Sequence, residues 1–270
     1  MSLDNINTLT ARGEKIAMLT CYDATFAKLS EAAGVDMLLV GDSLGMVLQG
    51  KENTLAVTMQ DMEYHTKSVS AGIIDCCIMT DMPVGSYEFG EEAALFNAKK
   101  LIKAGADIIK IEGGGKMIET ARYLIKHGVP VCAHLGFTPQ SVKQLGGYRI
   151  QGKTEASAHQ ILQDAIAMAN VGACFVVLEM VPAALAKIIT EAIDTPTIGI
   201  GAGADCDGQV LVIQDLLGIY TGPSSKKPED FKSPRFAKNF LAENNSIQHA
   251  IQAYVEAVKN NTFPSVAHSY

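Results

Sequence analysis

The sequence predicts an α/β protein built from eight βα units, which favours a (β/α)8 barrel. Short apolar runs occur eight times, most are followed by a segment with helical spacing, and the pattern continues through most of the 270 residues. Such units close into a barrel or spread as a doubly wound sheet. We prefer the TIM-type barrel, because eight buried strands at a spacing of roughly thirty residues match its usual size.

The predicted strands are almost continuously apolar, without the polar alternation of a half-exposed strand. Strands that are buried on both faces of a parallel sheet have this character. The runs occupy residues 16–23, 35–43, 76–83, 106–114, 130–136, 174–182, 196–203 and 209–218.

The segments between the strands have the apolar spacing of helices that pack on a sheet. In residues 90–104, Ala94, Ala98 and Leu101 fall on one stripe and the lysines fall off it. We expect one domain over residues 1–270, with a charged, proline-rich loop at 223–235. The predicted helices are 23–33, 58–71, 90–104, 116–127, 156–171 and 183–193, followed by a C-terminal helix at 246–259.

Composition narrows the classes of function. A formal charge of −7 with no basic stripe excludes a phosphate-tracking nucleic-acid binder. We expect a cytoplasmic protein without membrane contact, since the N-terminus lacks a signal-peptide pattern and no apolar stretch approaches the ~18 residues of a membrane span. The six cysteines include no CxxC pair, so we interpret them as buried, reduced thiols.

Polar residues stand where the predicted strands end. Barrel active sites are built at the C-terminal ends of strands, so we expect these side chains to meet at one mouth. They are Asp42 and Ser43 after the second run, Asp81 after the third, Lys110 and Glu112 in the fourth, His134 in the fifth and Glu179 in the sixth.

Three of these acids form a candidate metal site. Asp42, Asp81 and Glu112 would repel one another at short range, which makes a cation the natural occupant. Oxygen ligands without a thiol or a histidine pair favour Mg²⁺ or a similar hard cation. The alternative is that single acids cap the following helices or pair with Lys110.

The other strand-end residues each have two interpretations. Lys110 is an electrostatic clamp for an anionic substrate or a Schiff-base nucleophile, and neighbouring acids favour the clamp. Glu179 is a general base in apolar surroundings or a helix cap. His134 donates to a substrate oxygen or is bonded into the barrel wall.

Two further patterns carry weaker predictions. The GIGAG turn at 199–203 is a backbone phosphate cradle or a tight closure of the barrel. The remaining histidines lie in helical or terminal stretches, and we expect them at the surface. They are His65, His127, His159, His249 and His268.

Nine motifs together resemble one known family, the ketopantoate hydroxymethyltransferases. In order they are VGDSLGMVLQG, YHTKSV, TDMPVGSY, KIEGG, HLGFTPQSV, GGYRIQGK, LEMVP, IGIGAG and FAKNF. The resemblance runs from about residue 15 to 265. It implies a (β/α)8 barrel that transfers the one-carbon unit of 5,10-methylenetetrahydrofolate to 3-methyl-2-oxobutanoate, giving 2-dehydropantoate on the route to pantothenate.

The resemblance also implies roles for single residues. Asp42 and Asp81 are implied as Mg²⁺ ligands, with Glu112 as a further metal-site acid. The two aspartates would then contribute to keto-acid binding through the Mg²⁺ ion, which chelates the substrate. A general base would remove the C3 hydrogen, and Mg²⁺ would stabilise the resulting enolate. The implied keto-acid residues are Ser43, Lys110 and His134, and the implied base is Glu179. Family members form large homo-oligomers, typically decamers.

The chain departs from the family pattern in two places. Val84 stands where many members carry phenylalanine, and the loop at 223–235 has no confident counterpart. Both departures put pocket shape and folate contacts in doubt and leave the reaction class unaffected. The sequence leaves two other functions open: a lyase or aldolase on the same barrel, and a barrel that only binds its ligand.

Overall fold

The computed structural model describes residues 3–223, 225 and 227–270, and it arranges eight parallel strands in a closed barrel. The strands are β1 Ile16–Thr20, β2 Met37–Val40, β3 Cys77–Asp81, β4 Ile108–Glu112, β5 Val131–Gly136, β6 Phe175–Glu179, β7 Thr197–Ile200 and β8 Gly208–Leu211. Each strand pairs with its neighbours in the chain, and β1 pairs with β8. The predicted barrel is confirmed, because a doubly wound sheet would leave two strand edges open.

The helices lie between successive strands from β1 to β7 and flank the barrel at both ends of the chain. They are α1 Leu3–Ala11, α2 Ala24–Ala32, α3 Leu44–Val47, α4 Met59–Ser70, α5 Glu91–Ala104, α6 Met117–Lys126, α7 Glu155–Asn170, α8 Ala183–Ala192, α9 Ile213–Leu216 and α10 Ile247–Lys259. Short 3-10 helices occupy Thr54–Ala56, Pro139–Ser141, Pro228–Asp230, Leu241–Glu243 and Val266–His268.

Local chemistry explains where these helices begin and end. The carboxylate of Asp23 accepts hydrogen bonds from the first amides of α2. Thr58 and Asp61 form a reciprocal capping box at the start of α4. Gly105 ends α5 with φ at 113°, a left-handed conformation that glycine adopts without strain. The six helices predicted between strands are all found, within one residue at each end.

The strands and α-helices differ from the prediction in three places. The helices α1 and α3 were not predicted, and the run at 209–218 contains most of β8 followed by the helical turn α9 instead of one long strand. Ile213 and Leu216 of α9 are both buried. A continuous apolar run is therefore explained equally well by a strand and by a buried turn of helix, and periodicity does not separate the two.

The core consists of the barrel interior and the layer between strands and helices. All residues of β1, β2, β3 and β4 are buried. On α10, the Tyr254 hydroxyl lies 2.8 Å from the Met18 carbonyl oxygen and 2.9 Å from that of Gln209. This contact ties α10 to the seam between β1 and β8.

The GIGAG turn packs tightly against its surroundings. A Cβ atom at Gly201 would lie 2.9 Å from the ring of Phe236, and one at Gly203 would lie 2.6 Å from Ala183. The Gly203 carbonyl accepts a hydrogen bond from the Gln209 side chain. These contacts support the interpretation that the glycines permit close packing of the barrel.

The minor predictions have mixed outcomes. All six cysteines are free, and all are buried except Cys174, which is half-buried. His65 and His268 are half-buried, and Nδ1 of each lies within hydrogen-bonding distance of a neighbouring oxygen. The exposed histidines are His127, His159 and His249. Over the described residues, no helix has both the length and the apolar character needed to cross a bilayer.

Candidate active site

The polar residues at the strand ends meet at the C-terminal mouth of the barrel. Strand register sets Asp81 beside Lys110 and Glu112 beside His134. The amide of Asp42 donates a 3.0 Å hydrogen bond to Oδ2 of Asp81. These five side chains come from β2 to β5, and each residue is no more than 6% exposed. Ser43 and Glu179 are also present at the mouth and are half-buried.

Lys110 lies at the centre of the group. Its Nζ is 2.9 Å from Oδ1 of Asp81 and 3.1 Å from Nδ1 of His134. Burial by itself would lower the pKa of Lys110, but the charges of Asp81, Glu112 and Asp42 outweigh burial and raise it above its ordinary value. The side chain is therefore an ammonium ion at neutral pH.

His134 connects Lys110 to Glu179. Its Nε2 lies 3.2 Å from Oε2 of Glu179. Burial and the Lys110 charge lower the pKa of His134, so the ring is neutral at pH 7. An ammonium group has no acceptor, so Nδ1 accepts from Lys110 and the ring proton stays on Nε2, facing Glu179.

Glu179 is held by a sharp turn of the chain. Its carbonyl oxygen accepts a 2.8 Å hydrogen bond from Phe137, and a Cβ atom at Gly136 would meet that oxygen at 2.4 Å. Met180 follows with φ at 48°, a left-handed conformation that is uncommon for a residue other than glycine. Burial raises the pKa of Glu179, and His134 opposes part of that increase.

The three buried acids at the mouth outnumber the one Lys110 ammonium, so they do not all ionise readily without a further cation. Burial raises the pKa of Glu112 to about 8. Burial also raises the pKa of Asp42 well above its ordinary value, and the charges of Asp81 and Glu112 add to the effect. A buried cation would relieve this repulsion, and carboxylate oxygens are the donors that a hard divalent cation prefers.

The carboxylates do not form a complete coordination sphere for a metal ion. Among the residues that the structure describes, no group of three or more His, Cys, Asp and Glu side chains is spaced to hold a metal ion. Gln140 bridges two of the acids, with Nε2 at 2.9 Å from Oδ2 of Asp42 and the backbone amide at 2.9 Å from Oε2 of Glu112. Among the described residues, none forms a hydrogen bond with the buried Oε1 atom of Glu112.

Gln140 and Tyr87 are site residues that the sequence analysis missed. The Tyr87 hydroxyl donates to the Gln140 side-chain oxygen at 2.7 Å and lies 3.1 Å from the Glu112 amide nitrogen. Both residues are buried. They fall inside the motifs HLGFTPQSV and TDMPVGSY, and this position in the motifs was the available signal. Neither residue stands at the end of a strand.

A cavity of about 670 Å³ opens above these groups. The acids, Lys110 and His134 line one side, and residues of the predicted loop at 223–235 line another. Within that loop, Ser224 and Lys226 lie outside the described residues. Aromatic side chains contribute much of the remaining wall: Tyr148, Tyr220, Phe231, Phe236 and Tyr270. The cavity has room for a substrate larger than a keto acid.

An eight-stranded parallel barrel with a charged, buried cluster at its C-terminal mouth belongs to the class of barrel enzymes that act on small molecules. The family model described as ketopantoate hydroxymethyltransferase matches residues 1–266. The chain belongs to that family.

Curated relatives are similar over the full length. A protein of Methylobacillus flagellatus is 56% identical over 270 residues, covering 100% of both chains. One of Thiobacillus denitrificans is 52% identical, covering 100% of this chain and 99% of its own. Both are named 3-methyl-2-oxobutanoate hydroxymethyltransferase, so the chain is an enzyme, a hydroxymethyltransferase of pantothenate biosynthesis. The interpretation as a barrel that only binds a ligand is thereby wrong.

Solved structures with the same architecture are distant in sequence. A putative phosphonomutase from Burkholderia cenocepacia J2315 has a TM-score of 0.64 and 15% identity, covering 80% of this chain and 95% of its own. Phosphonopyruvate hydrolase in complex with oxalate and Mg²⁺ has a TM-score of 0.60 and 10% identity, covering 78% and 81%. These similarities support the barrel fold alone.

Proposed function

We propose that this enzyme takes its one-carbon unit from 5,10-methylenetetrahydrofolate and transfers it to 3-methyl-2-oxobutanoate as a hydroxymethyl group, forming 2-dehydropantoate. The observation that carries the proposal is the contact between neutral His134 and Glu179 beside the Lys110 ammonium. One cavity thus contains a base and a cation that suit a keto acid with an abstractable hydrogen.

The donor set fits a hard divalent cation, and we propose Mg²⁺ held by Asp42 and Asp81, with Glu112 as a further acid at the site. Three buried carboxylates face one ammonium group, so the site favours additional positive charge. When bound, the cation would supply Lewis-acid polarisation of the keto acid. The backbone amide of Gln140 holds Glu112 in place from the other side.

Three residues would bind and orient the keto acid. The Lys110 ammonium attracts its carboxylate, and the Asp81 partner keeps the ammonium in one position. The Ser43 hydroxyl lies 2.9 Å from the Tyr22 hydroxyl, so one of the two can donate to a substrate oxygen. His134 would donate its Nε2 proton, which lies on the side of Glu179, to a keto-acid oxygen.

Glu179 would act as the general base. The C3 proton of the keto acid moves to a carboxylate oxygen of Glu179, and the electron pair left at C3 forms the bond to the donated carbon. Both C–N bonds that hold the one-carbon unit break, and water supplies the hydroxyl oxygen. The two water protons and the C3 proton held by Glu179 go to the two folate nitrogens and to that oxygen, and tetrahydrofolate leaves. Burial raises the pKa of this carboxyl toward the operating pH, which improves a base.

The test separates the proton step from the transfer. Exchange of the C3 hydrogen in deuterium oxide without folate reports the base, and formation of 2-dehydropantoate with 5,10-methylenetetrahydrofolate reports the whole reaction. We expect both in the presence of Mg²⁺. Exchange without any folate-dependent product would overturn the assigned donor, and an unaffected rate after exhaustive chelation would overturn the metal.

We also propose a cytoplasmic homo-oligomer, with a decamer as the expected size. Six free cysteines suit a reducing compartment. Tyr64 on α4 and Phe96 on α5 are 67% and 63% exposed, and exposed aromatic side chains on packed helices are typical of subunit contacts. Light scattering after size exclusion measures the oligomer directly, and a monomer at micromolar concentration would refute it.

A further inference from the structure

The wall of the cavity opposite the acids contains two polar groups that nothing described so far uses. Asp215 lies on α9, directly after β8, and Tyr220 follows shortly after. Both line the same cavity as Asp42 and Glu179. Because the barrel order is β1 to β8, the end of β8 lies across the mouth from β4, which carries Lys110.

Both groups lack partners. Within the described part of the chain, Oδ1 of Asp215 and the Tyr220 hydroxyl are closed to solvent and have no hydrogen bond. Burial raises the pKa of Asp215 to about 6, so the group is still a carboxylate at neutral pH. The lysines in the cavity wall are Lys110, which pairs with Asp81, and Lys232, which is exposed.

An unpaired buried carboxylate costs stability, and a folded protein retains one where a ligand uses it. Asp215 is half-buried, so its side chain forms part of the cavity wall and not of the core. A carboxylate accepts two parallel N–H bonds, and a phenol can donate one beside them. The complementary ligand is therefore a flat, uncharged edge with adjacent N–H donors and a neighbouring oxygen.

We propose that Asp215 and Tyr220 form the subsite that recognises the 2-amino-4-oxo-pyrimidine edge of the pterin in the one-carbon donor. The inference rests on the proposed function. Rotation of both side chains into the cavity would expose Asp215 Oδ1 and the Tyr220 hydroxyl. The amino group and the adjacent ring N–H would then donate to Asp215, and the ring oxygen would accept from Tyr220. The 2-amino end of that edge is the end of the bicycle away from the one-carbon unit, so anchoring it here directs the donated carbon toward Lys110 and Glu179.

The aromatic wall fits the same ligand. The rings of Tyr220 and Phe231 meet edge to face with centroids 5.0 Å apart, and Tyr148 contributes another ring to the wall. Flat heterocycles pack favourably on such surfaces. The Phe231 ring would thus cover the co-substrate, and the keto acid would lie deeper.

The experiment compares Asp215→Asn with wild-type enzyme in two assays. Calorimetric titration with tetrahydrofolate measures the subsite directly, and steady-state kinetics measure KM for each substrate. We expect affinity for tetrahydrofolate to fall roughly tenfold or more, because a charged acceptor is lost. The C3 hydrogen exchange and KM for the keto acid should stay unchanged. Tyr220→Phe should move the same quantities in the same direction by less.

The control is Asp194→Asn, an exposed aspartate before β7 at the other end of the barrel, which should match wild type in every assay. Wild-type affinity for tetrahydrofolate in folded Asp215→Asn would overturn the subsite. An equal loss of C3 exchange in that variant would overturn it as well, since the residue would then act on the whole site. Calorimetric titration measures tetrahydrofolate binding and does not require turnover. It therefore tests the subsite even where the proposed reaction is not observed.

Discussion

The side-chain amide of Gln140 donates a 2.9 Å hydrogen bond to Oδ2 of Asp42, although 98 residues separate them in the chain. The same nitrogen donates to the Met82 carbonyl, and the Gln140 backbone amide donates to Glu112. One residue of a short 3-10 helix thus orients two acids from different strands. The acids depend on it because each is buried and would otherwise lack these partners.

Replacement of Gln140 by Ala should lower activity without removing a group that touches the reacting atoms. We expect kcat/KM to fall roughly tenfold to a hundredfold, because Asp42 loses a charge-assisted hydrogen bond of about 1.5–3 kcal/mol, while the backbone amide that holds Glu112 is kept. Mg²⁺ affinity measured by calorimetry should fall in parallel. Gln160→Ala, at an exposed position on α7, is the matched control. Unchanged metal affinity together with unchanged kinetics would show that Gln140 has no positioning role.

Replacement of Glu179 by Gln should abolish the proton step and preserve binding. Loss of a general base typically costs about 10²–10⁴-fold in rate. We expect C3 hydrogen exchange to fall by that factor and keto-acid affinity to change little, since glutamine has nearly the same shape. NMR follows the exchange and calorimetry the affinity. A variant that exchanges at the wild-type rate would exclude Glu179 as the base.

Borohydride should not trap a substrate on Lys110. Imine formation needs a neutral amine, and the charges of Asp81, Glu112 and Asp42 raise the pKa of Lys110 despite its burial. Intact-mass spectrometry after reduction in the presence of keto acid checks this, with a Schiff-base aldolase as positive control. An adduct mapped to Lys110 would favour the aldolase interpretation over the clamp.

Removal of divalent metal should abolish turnover and lower thermal stability. A ligand present at a hundred times its Kd stabilises the folded state by about 2.7 kcal/mol, so Mg²⁺ should raise Tm of the chelated enzyme. In Asp42→Asn, which keeps the shape but loses a ligand charge, the rise in Tm should be much smaller. Equal rises in both proteins would place the ion elsewhere.

Stability should respond to pH through Asp215. Its pKa is raised to about 6 in the folded enzyme, above the ~3.9 of an unfolded aspartate. The folded state thus binds the proton more tightly than the unfolded state. The resulting contribution to the free energy of unfolding is complete below pH ~4 and is lost as pH rises through about 6. Asp215→Asn avoids the loss, so its Tm relative to wild type should increase between pH 4 and pH 7, by the equivalent of about 1–3 kcal/mol. Calorimetric melts across that range measure it, and a constant difference would contradict it.

The sequence by itself determined the repeated units, the closed barrel and the strand-end polar residues, because burial on both faces and strand polarity leave a direct pattern along the chain. Residues at the same place in each unit converge in any barrel, which is why Asp42, Asp81 and Glu112 were predictable as neighbours. The nine motifs also identified the family before the fold was known.

Only the tertiary structure decided which residues outside the strands complete the site. Gln140 and Tyr87 reach the acids, and Asp215 and Tyr220 reach the opposite wall, through the paths of loops and of the short turn α9. These paths depend on packing between segments far apart in the chain. The spacing of apolar residues in the sequence does not predict such packing. The apolar run after residue 208 shows the same limit, since burial alone does not distinguish a strand from a helical turn.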